Sequence, residues 1–128
     1  MFYPKNMTGA HVGWEYLPAA AGTYKAGQLL NASGGKLVPV SAASTTTPGY
    51  LCMADVTVQE GQNLPVQRIQ KGDLYVTALS AEAAAAKMGS KLQVSAGGLQ
   101  VDAAAAGTFE VTYLEGTAAG SEVCGRFL

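Results

Sequence analysis

The chain is expected to be all-β: a small barrel or sandwich of short antiparallel strands. Three observations point there. Short β-prone runs recur at close, regular spacing, and clusters of Gly, Pro, Ser and Asn punctuate them. Residues 109–114, Phe-Glu-Val-Thr-Tyr-Leu, alternate with the period of two that a half-buried strand requires. One short helix near residues 80–88 and an extended N-terminal arm complete the expected architecture. The arm is 1–21, and 22–128 form a single β-rich domain.

The elements follow in chain order. Residues 1–21 carry Phe2, Tyr3, Trp14 and Tyr16 among Pro4, Gly13 and Pro18, with no clean period of 2 or 3.6. That reads as an extended arm whose aromatics must pack on something, either their own domain or a partner. Phe2, Tyr3, Trp14 and Tyr16 are therefore the candidate interface residues. Residues 23–30 read as a strand interrupted at Ala26-Gly27, 31–35 as a turn, and 36–40 as a second strand. Pro39 has no amide to donate to a ladder, so its strand belongs at an edge or pairs on one side only. A polar loop at 41–48 leads to strands at 49–58, 64–70 and 74–79.

Residues 80–89, Ser-Ala-Glu-Ala-Ala-Ala-Ala-Lys-Met-Gly, carry the helix signals. Ser80 suits an N-cap, Glu82 the positive end, Lys87 the negative end and Gly89 the stop. So short a helix does not persist alone in water and would need to lay its alanine face on a sheet. Strands at 91–94 and 99–101 flank a turn at 95–98. In 109–114, Phe109, Val111 and Tyr113 are expected to face one way and Glu110 and Thr112 the other. Residues 122–128 close the chain. One phrase occurs twice: residues 27–40 and 89–101 each read glycine, apolar strand, diglycine turn, apolar strand. This is one hairpin design used twice, with diglycine supplying the positive φ of a tight turn.

Composition narrows the function. The chain has 128 residues, 48% of them hydrophobic but much of that alanine, and only 13% charged. Soluble domains average about 25% charged, so a lone monomer has weak protection against association. This is the first sign of an oligomer or a docked protein. The net charge is −1, with no basic run, so phosphate-driven nucleic-acid binding is not expected. No apolar stretch approaches the ~20 residues of a membrane-spanning helix, so no membrane partner is expected. The opening Met-Phe-Tyr-Pro-Lys lacks the pattern of a secretory leader, which places synthesis in the cytoplasm. Cys52 and Cys124 are then expected as buried free thiols, with a disulfide open to a product that ends outside a cell.

No catalytic constellation is visible, and the chain is not expected to be an enzyme. A Ser-His-Asp or Cys-His site needs a histidine base, and the sequence holds one histidine, His11, in the irregular opening segment. Two cysteines and that histidine cannot build a zinc site alone, so neither metal ligands nor a cofactor are expected. The carboxylates are scattered singly, without paired spacing. Ser33-Gly34-Gly35-Lys36-Leu37 lacks the glycine spacing and following Ser/Thr of a phosphate loop, and it lies between strands.

From Ala21 onward a family resemblance enters. The residues carrying it are Ala21-Gly22-Thr23-Tyr24-Lys25-Ala26-Gly27-Gln28, Gly34-Gly35-Lys36-Leu37-Val38-Pro39 and Pro48-Gly49-Tyr50-Leu51. Leu64-Pro65-Val66 and Lys71-Gly72-Asp73-Leu74-Tyr75-Val76 continue it. In texture and phrase order the chain resembles the capsid decoration proteins of tailed bacteriophages, also called cement or head-fibre-base proteins. The resemblance spans roughly residues 21–115. It implies a virion structural protein, made in the host cytoplasm, that binds the major capsid protein on the outer capsid lattice and reinforces it. It also implies self-association, commonly as a homotrimer. The aromatic arm with Trp14 departs from the plainer N-termini of that family, leaving the mode of docking open. Two alternatives stand beside it. One is another phage structural part (tail, fibre base or head-tail joining protein). The other is a stand-alone ligand-binding β-domain using Tyr50 or Tyr75 as a stacking platform.

Overall fold

Apolar runs bounded by turn residues become strands throughout the computed structural model, which describes residues 1–6, 13–103 and 107–128. The strands are β1 (Tyr3–Asn6), β2 (Glu15–Pro18), β3 (Gly22–Tyr24), β4 (Leu29–Ser33), β5 (Lys36–Pro39), β6 (Tyr50–Cys52) and β7 (Val56–Val58). They continue with β8 (Asn63–Arg68), β9 (Leu74–Ala78), β10 (Lys91–Val94), β11 (Val101–Ala103), β12 (Phe109–Leu114) and β13 (Glu122–Phe127). A six-stranded sheet has the order β1-β9-β13-β12-β10-β11, a five-stranded sheet β2-β8-β6-β4-β5, and a two-stranded ribbon pairs β3 with β7. All ladders within them are antiparallel. The sheets stay open, so of the two expected forms the fold is sandwich-like. β5 is the edge strand that Pro39 called for.

The five-stranded sheet is buried on both faces, and this explains its sequence. Its strands contain adjacent apolar residues, Leu29-Leu30 and Leu51-Cys52, instead of strict alternation. Leu29 and Leu51 pair across β4 and β6 and face the six-stranded sheet, joining Phe2, Tyr75, Val94, Val101, Phe109, Val111, Val123 and Phe127 in the larger core. Leu30, Cys52, Leu64 and Val66 face the other way and form a second core with Leu37, under Tyr24 and Val58 of the ribbon. Each fully buried side chain of this size contributes about 1.5–3 kcal/mol. In the larger core Phe2, Phe109 and Phe127 meet at ring-centroid distances of 5.1–6.0 Å, with Tyr75 5.7 Å from Phe127. Such pairs add about 0.5–1.5 kcal/mol each beyond their area.

Two expectations are corrected. The described residues contain no helix, and 80–89 form a run of turns and bends. Their amides bond elsewhere: Ser80 N to Val101 O at 2.9 Å, Ala83 N to Thr117 O at 2.9 Å, and Gly89 N to Val111 O at 2.8 Å. Ser80 Oγ, the expected cap, sits 3.3 Å from Asp102 Oδ2. Local propensity over so few residues is outweighed by bonds to β11, β12 and Thr117, and Ala83 is buried in the core with Ala86 packed against it.

The arm takes one of the two destinations open to it. Its described residues are built into the sheets, β1 against β9 and β2 against β8, and of its two possible destinations the structure uses the protein's own domain. The second correction concerns Tyr113. The register of β12 on β13 shifts between Val111 and Tyr113, a bulge that turns Tyr113 onto the outer face.

Candidate interaction surfaces

The four sequence-derived anchors separate into one core residue and three exposed ones. Phe2 is fully buried. Its amide donates to Gly27 O at 2.8 Å, and its ring packs edge-on against Phe109. It is a structural residue, not a docking anchor. Tyr3, Trp14 and Tyr16 are 53%, 53% and 63% exposed. Tyr3 lies on the outer face of the six-stranded sheet, whereas Trp14 and Tyr16 lie at the edge of the five-stranded one.

The edge site is built around β2. Exposure alternates through Trp14, Glu15, Tyr16 and Leu17, so both rings project to one side, about 6.5–7 Å apart along the chain. Glu15 is held by Arg68 of neighbouring β8 through a two-pronged contact, Nε to Oε2 at 2.7 Å and Nη2 to Oε1 at 3.3 Å. The Arg68 guanidinium also lies 5.4 Å from the centre of the Tyr50 ring. The Glu15 hydrogen bond pushes the guanidinium pKa further up. Leu17 packs on the second core, and Ala19 bridges to Leu37 just beyond the strand. The edge therefore presents two large exposed rings, Tyr16 within β2 and Trp14 just before it. Tyr50 is half-buried beneath Arg68 and Tyr75 is 2% exposed, so Tyr75 presents no stacking surface.

The second site is the outer face of the six-stranded sheet. Pairing places Tyr3 beside Val76, Val76 beside Cys124, and Cys124 beside Tyr113, a continuous row across β1, β9, β13 and β12. Tyr113 is 53% exposed and was not singled out from the sequence, because nothing in Val-Thr-Tyr-Leu announces the bulge. Lys5 Nζ lies 3.5 Å from Cys124 Sγ and helps to cover it.

Both cysteines are buried and free. Cys52 belongs to the second core, where burial raises its thiol pKa. Among the described residues no three of His, Cys, Asp and Glu are grouped to hold a metal ion, and no helix is long and apolar enough to cross a membrane. His11 lies outside the described residues.

No family model matches the chain, and no curated protein matches it.

Proposed function

We propose that this protein is a non-enzymatic virion component that binds the outer surface of a phage capsid lattice and reinforces it. The observation that carries the reading is the pair Trp14 and Tyr16, two large aromatics more than half exposed beside one sheet edge. Interfaces draw most of their energy from a few such anchors. Low charge and the phrase order from Ala21 onward support the same reading. The partner is then the major capsid protein, and the working location is the capsid exterior.

The test is direct. Shells assembled from the major capsid protein encoded in the same genome, without this protein, are mixed with it and sedimented. The reading requires saturable co-sedimentation and added density on the outer surface in electron micrographs. Failure to bind shells at tens of micromolar protein contradicts it.

A further inference from the structure

Two reactive side chains from opposite ends of the chain meet over β9. Lys5 Nζ, from β1, lies 3.5 Å from Cys124 Sγ, on β13, and Val76 of β9 pairs with both Tyr3 and Cys124 beneath them. Cys124 is 2% exposed while Lys5 is exposed, so the sulfur sits one side chain below solvent. An oxidised cysteine condenses with a second thiol or with a neighbouring backbone nitrogen where either is within reach. Neither is in place here. Cys52 lies in the second core, beyond the five-stranded sheet. Val123 and Gly125, on either side of Cys124, are held in the ladders of β13 with β9 and β12. The nucleophile at hand is the Lys5 amine.

We infer that Lys5 and Cys124 are a modification site, at which hydrogen peroxide closes the two side chains into a covalent bridge tying β1 to β13. The thiol gives up its proton, and the thiolate attacks one peroxide oxygen. The O–O bond breaks, a water leaves, and the sulfur becomes a sulfenic acid. The Lys5 amine, having given its ammonium proton to solvent, then attacks that sulfur. An S–N bond forms, the S–O bond breaks and a second water leaves. One thiol, one amine and one peroxide thus give one sulfenamide and two waters, the sulfur losing the two electrons that the peroxide gains. The flexible four-carbon stem of the lysine supplies the last movement between the atoms. A link between residues 5 and 124 encloses most of the chain and so restricts its unfolded ensemble. It fastens the N-terminal strand, next to the Phe2 ring that fills the larger core. The chemistry concerns the purified chain, so it stands or falls independently of capsid binding.

The experiment is hydrogen peroxide treatment of the folded full chain, followed by non-reducing proteolysis and mass spectrometry. The peptides holding Lys5 and Cys124 should be recovered joined, at their summed mass less two hydrogens, and a thiol reductant should separate them. Lys5→Arg keeps the positive charge at an exposed position but lacks the amine. In that variant Cys124 should gain oxygens and no bridge should form. The yield of bridge should fall about tenfold or more in urea, where the fold no longer holds the two groups together. The bridged chain should unfold at a higher temperature than the untreated one, and reduction should reverse the gain. Three results would each overturn the inference. One is a native chain whose Cys124 gains oxygens without joining Lys5. Another is an intact Cys124 under conditions that oxidise the exposed Met88. The third is a bridge that forms as readily in urea as in the folded chain.

Discussion

Gly98 lies directly against the backbone of Leu29. The Leu29 amide donates to Gly98 O at 2.8 Å, and a Cβ on Gly98 would stand 2.3 Å from Leu29 O. The turn between β10 and β11 is thus a joint between the two large sheets. Gln28 Nε2 donates to Gly97 O at 2.9 Å, and Gly97 N donates to Val40 O nearby. Gly98→Ala combines this clash with strain at φ +74°, whereas Gly97 (φ +90°) has open space around it. Denaturant titration should show a loss on the order of 3 kcal/mol for Gly98→Ala and about 1 kcal/mol for Gly97→Ala. Equal losses would mean that the joint carries no special contact.

Phe2 should behave as a core residue. Phe2→Ala removes the ring that contacts Phe109 and Phe127 and should cost about 3–5 kcal/mol in chemical unfolding. Deleting residues 1–20 removes that ring together with β1 and β2, so the truncated chain should fail to fold. A folded, cooperative truncation product would contradict the placement of Phe2.

Stability should fall at alkaline pH. Burial raises the Cys52 thiol and the Tyr24 and Tyr75 phenols above their ordinary values. A group whose folded pKa is raised contributes fully below its unfolded pKa and loses that contribution as pH climbs towards the folded value. The thermal midpoint should therefore be level up to about pH 8.5, where an ordinary thiol ionises, and decline above it through the phenol range near about pH 10. Native Cys52 should resist alkylation over the level range and react on unfolding. A midpoint rising above about pH 9 would contradict this assignment.

The strands were legible because their signals are local. Glycine pairs at 34–35 and 97–98 mark turns, and Pro39 marks an edge. The break at Ala26-Gly27 falls between β3 and β4. What failed depends on distant partners. The alanine run from 83 to 86 has every helical preference, yet Thr117 and Val111 accept its flanking amides from elsewhere in the chain. Residues 49–58 read as one strand but divide at 53–55, because β6 and β7 belong to different sheets. The opening aromatics share one segment, but no period separates Phe2, which goes in, from Tyr3, which stays out. That division is set by the Phe109 and Phe127 rings, more than a hundred residues along the chain.

The central claim is that the β2 edge docks on the capsid, and the double variant Trp14→Ser/Tyr16→Ser tests it most directly. Both rings are more than half exposed, so thermal unfolding should move by no more than about 0.5 kcal/mol per position. Binding to assembled shells should meanwhile weaken by roughly 30-fold or more, the loss of about 2 kcal/mol that removing one buried interface anchor entails. A folded double variant that binds shells with wild-type affinity would contradict the account.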